Sequence, residues 1–195
     1  MKLLFGILSI LPAIVAYFLY FRGMFAGNVK PHAFSWLIWG LLAGNGFVAQ
    51  VSAGAGIGSW ATGMTSAACL LIFCIAVFKG DTKLMQLDWF LLVLALVSFG
   101  MLFVIEDKTI ALCITLFATL LGFSMTIKKA WARPYEEKAA AFMLNAIKFL
   151  PAIFALSSFS FLTVAYPLTA GLANAAVVLV VYVRTGRLNA RQVAR

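Results

Sequence analysis

Charge is scarce in this chain, and scarcest for acids. Of 195 residues only 11% are charged, six of them acidic, and His32 is the single histidine. The three cysteines, Cys69, Cys74 and Cys113, form no CxxC pair, so no ligand spacing for a metal is present. They lie inside apolar runs, where a thiol behaves as a small hydrophobe. Asp88, Glu106, Asp107, Glu136 and Glu137 stand at run ends or between runs, which leaves no carboxylate pair or acid–base couple placed for catalysis. Neither enzymatic activity nor a cofactor is expected. Nor does any basic stripe interleave with exposed aromatics, which argues against a nucleic-acid partner.

Apolar residues fill the space that charge leaves. They make up 64% of the chain and give a mean hydropathy of +1.04, more than a soluble core of this size could bury. Apolar runs fall at 3–21, 34–52, 61–78, 89–105, 109–127, 139–162 and 164–183, each near the ~20 residues that cross a bilayer as a helix. The expectation is an all-α integral membrane protein with seven transmembrane helices, embedded in the lipid bilayer of the plasma (inner) membrane. The first run, with Lys2 ahead of it, has the outline of a signal peptide. Its length and the lack of a small-x-small cleavage site predict an uncleaved helix instead.

The net charge of +9 is concentrated in short clusters. Alternate loops carry Arg22 and Lys30; Lys79 and Lys83; Lys128, Lys129, Arg133 and Lys138; then Arg184, Arg187, Arg191 and Arg195. The other side has Lys2 and Lys108, the latter beside Glu106 and Asp107. The positive-inside rule therefore predicts an outside amino terminus and a cytoplasmic carboxy terminus.

The layout also repeats. "YFRGMFAGNVKPHAFSWLIWGLLAGNGFVAQ" and "MTIKKAWARPYEEKAAAFMLNAIKFLPAIF" each pass from a helix end through a basic loop, closed by Lys30-Pro31 or Arg133-Pro134, into the next helix. Between the repeats, run 89–105 has almost nothing polar except Ser98. An odd spacer helix gives both three-helix units one orientation. The expected division is 1–80, a first repeat; 81–108, a linker helix; 109–186, a second repeat; and 187–195, a basic cytoplasmic tail. Parallel repeats of this 3+1+3 kind place a transport site at their interface.

Depth and face then nominate site residues. Pro12, Asn45, Cys69, Thr119, Lys148 and Asn174 lie ~8–11 residues into their runs, or ~12–17 Å, close to the bilayer midplane. Aligning Pro31 with Pro134 makes Asn45 equivalent to Lys148 and Trp39 equivalent to Phe142. Thr62, Thr65, Ser66 and Cys69 share one helical stripe, as do Phe142, Asn145 and Lys148. Such stripes of small and hydroxyl residues also serve plain helix packing. Lys148 is harder to explain that way, because an ammonium at midplane costs about 2.5–3.5 kcal/mol even on the lenient insertion scale. Snorkelling works poorly so far from either face. The expected substrate-binding set is Asn45, Asn145, Lys148 and Asn174 around a central cavity, with Ser66, Cys69 and Thr119 at the same level and Trp39 as a floor. Pro12, Pro151 and Pro167 are expected hinges, since a bundle can re-satisfy backbone groups freed by proline. Trp36, Trp39, Trp60 and Trp89 read as an interfacial belt, with Trp39, one turn deeper, the one placed to floor a pocket, and "GAGIGSW" reads as a tight outer turn.

These features resemble the SWEET and PQ-loop superfamily of small-solute transporters. "GFSMTIKKAWARPYEEKAAAF" is similar to a PQ-loop segment, and "ILPAIVAYFLYFRG" with "KPHAFSWLIW" is similar in the first repeat. The Pro-Gln pair itself is absent, Ala13 following Pro12. The resemblance implies a 3+1+3 fold with its amino terminus outside and facilitated transport by alternating access. Lys148 turns the expected cargo from a neutral sugar alone toward a sugar-like or anionic small metabolite. A non-transporting membrane scaffold or receptor is the alternative, and the sequence leaves a homo-oligomer open for either. A membrane-embedded enzyme would need a nucleophile or an acid–base pair that the midplane does not offer.

Overall fold

In a bilayer no water is at hand to bond backbone amides and carbonyls, so an apolar segment must satisfy them internally, and the helix does this. The computed structural model describes residues 1–193, apart from the side chains of Glu136 and of residues 190–193. Its helices are α1 (Lys2–Phe25), α2 (Ala33–Ser52), α3 (Trp60–Lys79), α4 (Gln86–Val104), α5 (Thr109–Ala132), α6 (Ala139–Phe154) and α7 (Phe161–Val193). Short 3-10 turns, Gly56–Ser59 and Pro134–Glu136, lead into α3 and α6. Among the described residues, six helices are long and apolar enough to cross a membrane, and α6 is an apolar helix of 16 residues. Large apolar side chains such as Phe18, Leu71, Val93, Leu120 and Leu179 are exposed around the bundle, as lipid contact requires. This is the architecture of a multi-pass membrane protein.

Two element boundaries differ from the sequence expectation. The sixth run was expected to continue to residue 162, but α6 stops at Phe154 and residues 155–160 form a connection. Serines compete with the helix there for backbone partners. The Ser160 amide donates to Thr163 Oγ1 at 2.9 Å, which fixes the start of α7, while the Ser157 amide donates to Ala55 O at 2.9 Å. At the other end, residues 187–193 continue α7 where a separate tail was expected. The basic segment also starts inside a helix, since Lys128 and Lys129 fall in the last turns of α5, where cations complement the helix dipole.

Packing follows a regular scheme. α3 lies against α1 and α2; α7 lies against α5 and α6; α1 meets α6, α2 meets α5 and α7, and α4 rests on α2 and α5. The loops at the basic end are pinned to the helices beside them. His32 caps α2 by accepting the Ser35 amide at 3.3 Å, and residues 31–33 pair with Asp81 through Asp81 N→Pro31 O (2.9 Å) and Ala33 N→Asp81 O (2.8 Å). The Lys83 amide bonds Asp81 Oδ1, which holds this exposed carboxyl below its usual range. Lys79 at the end of α3 stands over the Phe25 ring at 5.2 Å, and Arg184 in α7 stands over the Trp131 ring at 4.6 Å while donating to Trp131 O.

Candidate functional site

Helical spacing brings Phe142, Asn145 and Lys148 to the inner face of α6, and all three border a cavity of about 540 Å³. Its wall also takes Tyr17 from α1, Trp36 and Trp39 from α2, Thr65 and Cys69 from α3, Phe123 from α5, and Tyr166 and Asn174 from α7. The cavity runs toward the basic end of the bundle, where it is bordered by Ser35, Thr126, Lys129 and Glu137. Lys129 Nζ and Glu137 Oε1 form an ion pair there at 2.8 Å.

Among the described residues Lys148 is the largest fully buried side chain, with 0% exposure. It borders the cavity from behind the side chains that cover it. Its Nζ donates to Thr65 Oγ1 at 2.8 Å and to Asn145 Oδ1 at 2.6 Å. It stands over the Phe149 ring at 4.9 Å and the Tyr17 ring at 5.3 Å, both favourable cation–π distances. Two neutral oxygens and two ring faces thus solvate the amine. Among the described residues no carboxylate forms an ion pair with it. Thr65 spends its own hydroxyl proton on Ala61 O (2.6 Å), and Asn145 spends its amide on Ala141 O (3.0 Å), so both present oxygen to the lysine. Behind Thr65, Tyr17 Oη and Cys69 Sγ lie 3.9 Å apart.

At the opposite end the bundle is closed by close backbone approach. A Cβ built on Gly58 would lie 2.7 Å from Leu156 N and 2.8 Å from Ala152 O, and one on Gly46 would strike the Tyr166 ring. Only glycine lets the α2–α3 connection and α2 come so near α6 and α7. Gln50 Nε2 donates to Thr163 O at 2.9 Å across the same level, and Ala55, Ala155 and Leu156 are fully buried there.

Of the residues expected to bind solute, Trp39, Cys69, Asn145, Lys148 and Asn174 border the cavity, and Asn45, Ser66 and Thr119 do not. Asn45, fully buried at 1% exposure, points the other way and donates to Ala95 O (3.0 Å), Ser98 Oγ (2.7 Å) and Thr115 Oγ1 (3.4 Å), tying α2 to α4 and α5. A polar side chain at midplane needs partners, and the one hydroxyl of the spacer helix supplies one. Ser66 Oγ donates to Gly40 O at 2.8 Å and packs α3 on α2, while Thr119 bonds back within α5 to Thr115 O at 2.8 Å. Pro12 and Pro151 lie inside α1 and α6, and Pro167 lies inside α7 next to the cavity residue Tyr166.

Sequence reasoning overlooked Tyr17, Tyr166, Trp36 and the Lys129–Glu137 pair. Trp36, which the sequence places in an interfacial belt, borders the cavity, with its indole N–H on Tyr20 Oη at 3.1 Å. Tyr17 lies five residues beyond Pro12 in the same run, a depth signal that could have found it. No protein-family model matches the sequence, and neither a curated protein nor a solved structure does.

Proposed function

We propose that the chain is a membrane transporter that moves a small polar solute by alternating access through this cavity. The observation that carries the proposal is the contrast between the two ends. The cavity is bordered by Lys129 and Glu137 at the basic end, and beyond Lys148 it gives way to glycine-mediated contacts around Gly46 and Gly58. A site reachable from one side and sealed from the other is half of an alternating-access cycle.

The packing scheme supports two parallel three-helix units, α1–α3 and α5–α7, with α4 as the linker. In each, the third helix touches the first and second; across the units α1 meets α6 just as α5 meets α2. Exchanging the units maps one cross-contact onto the other, as a two-fold axis along the membrane normal would. The paired cation–π contacts, Lys79 with Phe25 and Arg184 with Trp131, fall at matching ends of the two units. On this reading the basic end is cytoplasmic, the amino terminus is outside in the plasma membrane, and rocking of the units opens the glycine seal while closing the mouth. The likeness to SWEET-type carriers rests on the same arrangement.

The test is solute flux in proteoliposomes containing the full-length protein. Saturable uptake of an anionic or polyhydroxylated small solute, absent from protein-free vesicles, is the expected result. A screen in which no such solute enters faster than in protein-free vesicles would sink the proposal.

A further inference from the structure

The transporter reading leaves its cargo open between sugar-like and anionic, and the cavity wall narrows that choice. Lys148 is bonded to neutral oxygens, and two of the groups that cover it, Thr65 and Asn145, border the cavity. An oxyanion that displaced Asn145 Oδ1 would exchange a neutral acceptor for a charged one, and charge-assisted hydrogen bonds are roughly twice as strong. One ammonium suits one negative charge. The second cation bordering the cavity, Lys129, already pairs with Glu137.

The rest of the wall decides what body the anion carries. From Lys148 toward the basic end, Phe142 lies six residues away, about 9 Å of helix. At that shallower level stand Trp36 and Trp39, with Phe123 tilted against Trp39 at 4.9 Å between ring centroids. A polyol would need hydroxyl and amide partners around its rim; Ser35, Thr126, Lys129 and Glu137 stand about a turn nearer the mouth, and between them and Lys148 the wall is made of the Trp39, Phe123 and Phe142 rings. A planar ring gains stacking contacts there.

We propose, resting on the transporter reading, that the cavity selects aromatic monocarboxylates. The carboxylate goes to Lys148 and Thr65, and the ring lies between Trp39 and Phe142.

The experiment measures equilibrium binding to the full-length protein in detergent, by tryptophan fluorescence and calorimetry. The probes are benzoate, its neutral isostere benzamide, cyclohexanecarboxylate and phenyl phosphate. Benzoate should bind about tenfold tighter than benzamide or better, a difference of about one charge-assisted bond, and tighter than the other two acids. Lys148→Gln should erase the preference for benzoate over benzamide while leaving benzamide binding in place. Trp39→Leu keeps the amine, so it should weaken both ligands together, and it serves where Lys148→Gln does not fold. Equal binding of benzoate and benzamide, no binding of either, a preference that survives Lys148→Gln, stronger binding of cyclohexanecarboxylate or phenyl phosphate, or a Trp39→Leu variant with unchanged affinities would each overturn the proposal. Flux of benzenesulfonate, a permanent anion, into proteoliposomes separates the two readings. Benzoate binding with no solute in the proteoliposome screen entering faster than in protein-free vesicles, benzenesulfonate included, sinks transport and keeps the ligand class; glucose flux without benzoate binding does the reverse.

Discussion

Lys148 Nζ donates to Thr65 Oγ1 at 2.8 Å, and that bond joins α6 to α3 in the middle of the bundle. On the proposed transport reading the lysine would also offer a charge to a ligand, and a substitution can separate that from its contact with α3. A buried charge with no counter-charge is costly, and an apolar side chain of similar size removes that cost. Lys148→Met is expected to fold with an unchanged or raised melting temperature and to lose ligand-induced stabilisation. A misfolded Met variant would make the lysine structural, and one that keeps its ligand response would place the site elsewhere.

Asn45 gives the opposite expectation. Its amide supplies three contacts to α4 and α5 away from the cavity. Asn45→Leu breaks the bonds that join α2 to α4 and α5, each worth about 0.5–1.5 kcal/mol. Thermal unfolding should fall accordingly while ligand affinity stays within about twofold, since 1.4 kcal/mol is needed for tenfold. A large affinity loss at unchanged stability would return Asn45 to the site.

The glycine seal can be forced. A Cβ at Gly58 meets backbone atoms of Leu156 and Ala152, which cannot swing aside as a side chain can. Overpacking of this kind costs about 1–3 kcal/mol. In a cysteine-free background, Thr163→Cys, buried at the sealed level, should resist a membrane-impermeant maleimide added from the side of residues 53–59. Adding Gly58→Ala should make it react. Equal labelling with and without the added methyl would show that this contact does not seal the cavity.

At the mouth, Glu137 neutralises Lys129. The lysine side chain is 55% exposed, so the pair contributes little stability, about 0–1 kcal/mol. Glu137→Gln should leave the melting temperature nearly unchanged and speed anion entry, an effect that added salt suppresses. An association rate that ignores both the substitution and ionic strength would remove the pair from the entry path.

Sidedness is tested directly. Single cysteines introduced in 53–59 and in 130–136 should label from opposite faces of sealed vesicles, and labelling of both from one face would refute the alternating-charge topology.

How much of this was legible beforehand depended on which kind of signal each residue carries. Helix existence was readable because apolar runs of bilayer length leave the backbone no other form, and the cavity faces of Asn145 and Lys148 followed from spacing within one helix. Asn45 is expected at the cavity from its depth but does not border it, because depth alone does not say which way a side chain points. Its direction depends on α4, a tertiary neighbour whose lone Ser98 looked unremarkable. Tyr17 and Tyr166 were hidden because an aromatic inside an apolar run looks the same whether it faces lipid, core or cavity. The break after Phe154 is not legible in the sequence because serines are tolerated inside membrane helices, and the contacts of Ser157 with Ala55 and of Ser160 with Thr163 that favour a loop there are seen only in the structure.

The length of α7 has a practical consequence. Its 33 residues extend about 50 Å, well beyond the ~30 Å hydrocarbon core, so its last turns stand clear of the lipid. A soluble protein joined to them through an unbroken helix would be held at a fixed angle to the bundle. A 21.2 kDa protein buried in a micelle gives single-particle imaging little to align on; such a rigid handle would supply the missing landmark and let the two ends of the cavity be seen directly.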